Sequence, residues 1–195
     1  MDWLRSVALP EERRLADAAG LRIISGLVLS DRNLLPELHT TPPVALHSTR
    51  ELIDRWHGRG LIRYAISPRF SVSCSDELLS ACGELAREVP GLLVSTHINE
   101  TVGEIELVAS LFGSARDYLE TYERYGLVGH GSVFAHDVHV GESELRRLAE
   151  AGPSVAHCPS SNAFLGAVFT LAREESIAEV WVAGEVVFAA PGAVG

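Results

Sequence analysis

Helical and extended patterns of apolar residues alternate along this chain, and their spacing predicts most of its elements. Pro10 to Ala19 begins with proline, continues with acidic residues and stops at Gly20, which predicts a helix. Leu21 to Leu29 is apolar and β-branched apart from Arg22, Ser25 and Gly26, and predicts a strand. Asp31 to Pro43 is polar and punctuated by proline, a loop. Val44 to His57 sets Leu46, Ile53 and Trp56 on one helical face before Gly58. Leu61 to Ile66 is the next strand. Ser75 to Glu88 is a helix with Asp76 and Glu77 in its first turn, where they suit the helix dipole. Leu92 to Ser95 predicts a strand, Val102 to Leu111 and Ala115 to Tyr125 helices, Ser132 to Ala135 a strand, Glu142 to Ala151 a helix and Ser154 to Ala156 a strand.

Strands separated by helices in this way imply a parallel sheet with right-handed crossovers. Five such strands form either an open sheet or part of a (β/α)8 barrel. Arg69, His97, His136 and His157 each fall at or just past the C-terminal end of a strand. That face carries the active site in such barrels, and ligands bind there in open α/β sheets too. The expected fold class is α/β, a partial TIM-type barrel of five β-α units over residues 1–170. The end differs: Ile177 to Val182, Ala183-Gly184 and Glu185 to Phe188 read as a β-hairpin with no crossover helix of normal length before it. Residues 171–195 are therefore expected to belong to a separate β-domain, with a loose tail of small residues and proline from Ala189 to Gly195.

Composition narrows the partners. A net charge of -10 argues against nucleic acid and anionic membranes, both of which favour a basic face, but leaves a small neutral base open as substrate. No apolar run approaches the length that spans a bilayer. Cys74, Cys82 and Cys158 show no C-x-x-C spacing, and the start Met1-Asp2-Trp3-Leu4-Arg5 lacks a signal-sequence core. Free thiols in the cytoplasm are the expectation.

The chemistry concentrates in Thr96-His97-Ile98-Asn99-Glu100. A histidine at a strand end with a glutamate three residues on sets a metal ligand beside a proton carrier, the pairing that hydrolytic zinc sites use. A single H-x-x-E is more often a hydrogen-bonded histidine and an acid opening the next helix. His136 repeats the arrangement after Ser132-Val133-Phe134-Ala135, and is preferred over His139 because it directly follows the apolar run. In Pro68-Arg69-Phe70, the arginine offers a planar fork to the acceptors of a base, and the phenylalanine offers a stacking face. An exposed arginine beside a core phenylalanine is the plainer alternative. His157-Cys158-Pro159 ends another strand with a ligand, shell or turn histidine and a thiol that has no assigned base. Asp31, Arg32 and Glu37 are read as loop structure. No G-x-G-x-x-G, no Walker loop, no P-C-x-x-C and no H-x-H occurs.

Taken in order, these segments resemble the guanine deaminases of the amidohydrolase superfamily, almost end to end. Ser25 to Arg32 and Leu38 to Pro42 resemble the third-strand region, and Pro68 to Ser75 the base-recognition turn. Thr96 to Glu100 resembles the fifth-strand ligand and proton shuttle, Ala135-His136 the sixth-strand histidine, Ala156 to Asn162 the seventh-strand end, and Ile177 to Gly184 the C-terminal β-domain. The resemblance implies one zinc held by an H-x-H pair, the fifth-strand histidine and an eighth-strand aspartate. A zinc-activated water attacks C2 of guanine, and xanthine and ammonia result. It makes His97 a zinc ligand, Glu100 the proton shuttle, His136 the histidine near the metal water, and Arg69 and Phe70 the purine holders. It further implies a cytoplasmic homodimer.

The sequence departs from that pattern in two places. It holds no H-x-H, and between Gly166 and Thr170 the resemblance jumps from the seventh-strand end to the β-domain. Expected consequences are an incomplete zinc site, no activity of the chain alone, and exposed strand edges. A non-catalytic partner of a full-length deaminase, or a related deaminase of another heterocycle, are the alternative readings.

Overall fold

The computed structural model describes residues 18–164, 179–182 and 185–189. The predicted helix over Pro10 to Ala19, the turn at Ala183-Gly184 and most of the C-terminal tail lie wholly or largely outside them. The chain divides into two units, Met1–His157 and Cys158–Gly195.

In the first unit every strand pairing is parallel. Strands β1 (Ile23–Ser25) and β2 (Val28–Leu29) both lie along β3 (Ile62–Pro68). They keep one register, so they are two halves of the single strand that the sequence predicts. Gly26 sits at the break, where the backbone passes so close to β3 that a Cβ would lie 1.7 Å from the Ala65 carbonyl oxygen. The Leu27 N–H, lost to the ladder, donates instead to the buried Tyr64 hydroxyl at 2.9 Å. Helix α1 (Pro42–Trp56) leads into β3. It starts two residues earlier than the apolar pattern suggests, since proline suits a first helical turn.

Helix α2 (Asp76–Glu88) connects β3 to β4 (Leu93–Ile98), and Ser75 caps it by accepting from the Leu78 N–H at 3.1 Å. Helix α3 (Val102–Leu111) and the short α4 (Glu120–Glu123) precede β5 (Ser132–His136), and α5 (Glu142–Ala151) precedes β6 (Ser154–Ala156). The predicted helix over Ala115 to Tyr125 shrinks to α4. Asp117 accepts from the Glu120 N–H at 3.1 Å, a local side-chain bond that competes with helix in the residues before α4. The sheet order is β1-β3-β4-β5-β6, with β2 also on β3. This is a partial TIM-type barrel sheet with helical crossovers, as the sequence predicts.

Ile66, Leu78, Leu79, Leu85 and Phe134 are fully buried between sheet and helices. The outer strands are barer: Ile24 is 54% and Val155 50% exposed. In the second unit, α6 (Pro159–Phe164) is followed by β7 (Glu179–Val182) and β8 (Glu185–Ala189), which pair antiparallel. No helix among the described residues is long and apolar enough to cross a membrane.

Candidate active site

The C-terminal ends of β3, β4 and β5 bring the candidate residues together. Arg69 and Phe70 follow β3, and both main-chain polar groups of Arg69 are pinned. Its N–H donates to the Leu29 carbonyl at 2.9 Å, and its carbonyl accepts from the Thr96 hydroxyl at 3.3 Å and binds His97 Nδ1 at 2.6 Å. The Arg69 guanidinium, on an exposed residue, lies 5.0 Å from the Phe70 ring centre, a cation–π distance.

His97 lies inside β4 rather than beyond its end, paired laterally with Ala135. The apolar run stops at Ser95, but the backbone ladder continues through Thr96 and His97. Burial holds the His97 imidazole below the usual histidine range; the Arg69 carbonyl bond opposes this and nearby His136 adds to it. The His136 ring stacks on His97 with centroids 5.4 Å apart. His136 Nε2 lies 3.5 Å from Glu100 Oε1, a separation that serves electrostatics better than a hydrogen bond. Histidine, glutamate and histidine thus form one cluster beside the Arg69–Phe70 turn.

The buried Tyr122 hydroxyl ties turn to strand. It donates to the His97 carbonyl at 2.8 Å and accepts from the Ser71 N–H and the Thr96 hydroxyl, both at 3.1 Å. Sequence reasoning missed it, as it did Asn99, Asp137 and Glu144, which bond around the same strand ends. Signals for the last three were present. Asn99 and Asp137 flank the chemical residues as the types that tolerate left-handed turns, and Gly141-Glu142-Ser143-Glu144 places an acid where a capping box wants one.

His139 is exposed, with its N–H on the Asn99 carbonyl, and His157 is exposed past β6. Asp31 binds the Ser75 N–H and hydroxyl, and Arg32 donates to the Ser71 and Val72 carbonyls, so both serve loop structure. Cys74 is buried, which pushes its thiol up to about 12. Among the described residues, no three His, Cys, Asp or Glu side chains converge as a metal site would require.

The amidohydrolase family profile matches residues 10–180, and the chain belongs to that family. The probable guanine deaminase of Deinococcus radiodurans is 44% identical over 225 residues, covering 94% of this chain and 51% of that protein. That span exceeds the 195 residues present, so the relative carries residues within it that this chain lacks. The solved guanine deaminase of E. coli is 42% identical, with a TM-score of 0.77 over 79% of this chain and 36% of its own. A C. acetobutylicum guanine deaminase solved with guanine in its active site is 30% identical, with a TM-score of 0.76 over 80% of this chain and 38% of its own. The chain spans about half or less of each.

Proposed function

We propose that this chain carries the base-binding turn and proton-transfer pair of a guanine deaminase, a zinc hydrolase that converts guanine and water to xanthine and ammonia. The bond from His97 to the Arg69 carbonyl carries the reading, because it fastens the base-recognition turn to the metal-facing histidine. A carbonyl only accepts, so Nδ1 bears the hydrogen and Nε2 keeps its lone pair for a metal. Burial that favours the neutral ring acts in the same direction. Zinc would supply a Lewis acid there. Arg69 grips acceptors on the base and Phe70 stacks on it. Glu100 carries protons to the ring and to the leaving amine, with His136 beside it.

His97 suits one position of a zinc shell, and the described residues do not make up a whole one. The chain alone is therefore read as binding guanine without deaminating it. The reading includes the cytoplasmic homodimer that the resemblance implies, and assigns residues 171–195 to the family's β-domain. The exposed outer strands favour a second reading, a non-catalytic chain that pairs with an intact deaminase, for which co-purification is the test.

The first test is calorimetric titration of the purified chain with guanine, with ammonia release followed in parallel. Arg69→Ala is expected to weaken binding by about tenfold or more, the worth of a charged hydrogen bond. Binding indifferent to that change would remove the base-recognition role. Ammonia release by the chain alone would overturn its proposed incompleteness.

A further inference from the structure

Three adjacent non-glycine residues at the ends of β4 and β5 adopt left-handed backbone: Asn99 at φ 51°, His136 at φ 74° and Asp137 at φ 48°. L-residues avoid this region unless something holds them there. The consequence is visible in the side chains. His136 is the lateral partner of Ile98, so regular alternation would place it on the face opposite His97. Its ring nevertheless stacks on His97. The left-handed turn carries the side chain across, and the turn at Asn99 directly precedes Glu100.

We propose that Asn99, Asp137 and Glu144 form a latch that locks these two turns together and so positions His136 and Glu100 beside His97. The proposal rests on the deaminase reading only for what those side chains then do. The Asn99 amide has two hydrogens, and Nδ2 reaches Asp137 Oδ1 at 2.9 Å and Glu144 Oε1 at 3.5 Å. The backbones are cross-tied as well. The Asp137 N–H donates to the Ile98 carbonyl at 3.0 Å, and the Val138 and His139 N–H groups both donate to the Asn99 carbonyl at 3.1 Å. Glu144 anchors the latch from α5. Its Oε1 also accepts from the Leu119 N–H at 3.1 Å, and its Oε2 from the Gly141 N–H at 3.0 Å. Asn99 is 1% and Glu144 7% exposed, so these bonds meet little competition from water. Each of the two turns is strained alone, and they brace one another through the Asn99 amide and the three backbone bonds.

The test is nuclear magnetic resonance on the 195-residue chain. Asp137→Ala removes the acceptor. The amides of Val138 and His139 should then exchange about tenfold faster, as loss of one hydrogen bond permits. The ring nitrogens of His136 and the Glu100 carboxyl carbon should shift, while the Val94 amide in β4 keeps its protection. Asp137→Asn retains an acceptor oxygen and should restore all three readouts. Asn99→Gly accepts the left-handed backbone but cuts the side-chain bond; it should behave as Asp137→Ala and carries the test if that variant does not fold. Unchanged ring and carboxyl signals, faster exchange spread over the whole sheet, or failure of Asp137→Asn to restore would each overturn the latch. None of these readouts needs guanine or metal, so failure of the deaminase reading and failure of the latch are told apart.

Discussion

The middle of the sheet and its margins are built differently. Along β3, β4 and β5, Tyr64, Ile66, Ile98 and Phe134 are fully buried, and the polar groups at the strand ends bond to one another. At the margins, Ile24 and Val155 are half exposed, and among the described residues β6 pairs with β5 alone. The ends of three neighbouring strands carry Arg69, His97, Glu100 and His136, and Leu29 of β2 holds the Arg69 turn from the side. Among the described residues no three His, Cys, Asp or Glu side chains converge as a metal shell would require, and the outer strands are the barer ones. Local site geometry and global closure are separable requirements, and substitutions in the two regions should show it.

The largest effect belongs to the centre. Phe134→Ala empties a fully buried position on β5 and should cost about 3–5 kcal/mol in urea denaturation. A cost below 1 kcal/mol would mean that the centre is loosely packed and would dissolve the contrast. Tyr122→Phe comes next. It leaves the Ser71 N–H without its buried acceptor, at about 1–3 kcal/mol, while the Thr96 hydroxyl keeps the Arg69 carbonyl. Because that hydroxyl joins the Arg69 turn to the His97 strand, guanine affinity should fall with stability.

How much of this was legible follows from what each feature depends on. Helices α2 and α3 were readable because cap, acid and apolar face lie within one local stretch; Thr101, for instance, accepts from the Glu104 N–H as a cap should. The parallel pairing of the centre follows from alternation of strand and helix. The apolar run sets His97 at or just past the end of its strand, whereas the ladder joins backbones, is indifferent to polarity and runs on to Ile98. Tyr122 was invisible because its partners lie far away in sequence and no local pattern marks a hub. The candidates Arg69, His97, Glu100 and His136 were found from strand-end position and family resemblance. The turns that aim them were not, since alternation alone sends His136 to the wrong face.

A smaller effect separates ionisation from packing near the site. Burial raises the Glu104 carboxyl above the ordinary range, against the opposing Tyr118 hydrogen bond. A carboxyl with a raised folded value adds stability below its unfolded value and loses that contribution as pH rises through the folded one. Glu104→Gln cannot ionise. Its stability relative to the native chain should therefore improve from pH 4 to pH 7, an effect smaller than the loss of Tyr122. A difference that stays flat with pH would show that Glu104 ionises as an ordinary surface acid.

The smallest effect on stability is expected at the margin. Val155 is exposed on β6, so Val155→Lys should change unfolding free energy by less than about 0.5 kcal/mol. Its effect belongs in association instead. A short strand with an exposed apolar residue is a template for pairing with another chain, and lysine is a common means of blocking it. Sedimentation velocity over a concentration series should show less self-association in the lysine variant, with the folded monomer unchanged. If Val155→Lys costs as much as a central substitution, β6 is part of the core, and the margin is less bare than its exposure indicates. If association is unaffected while stability holds, the edge is covered in solution by other residues of the chain, and the contrast between centre and margin narrows to the metal shell alone.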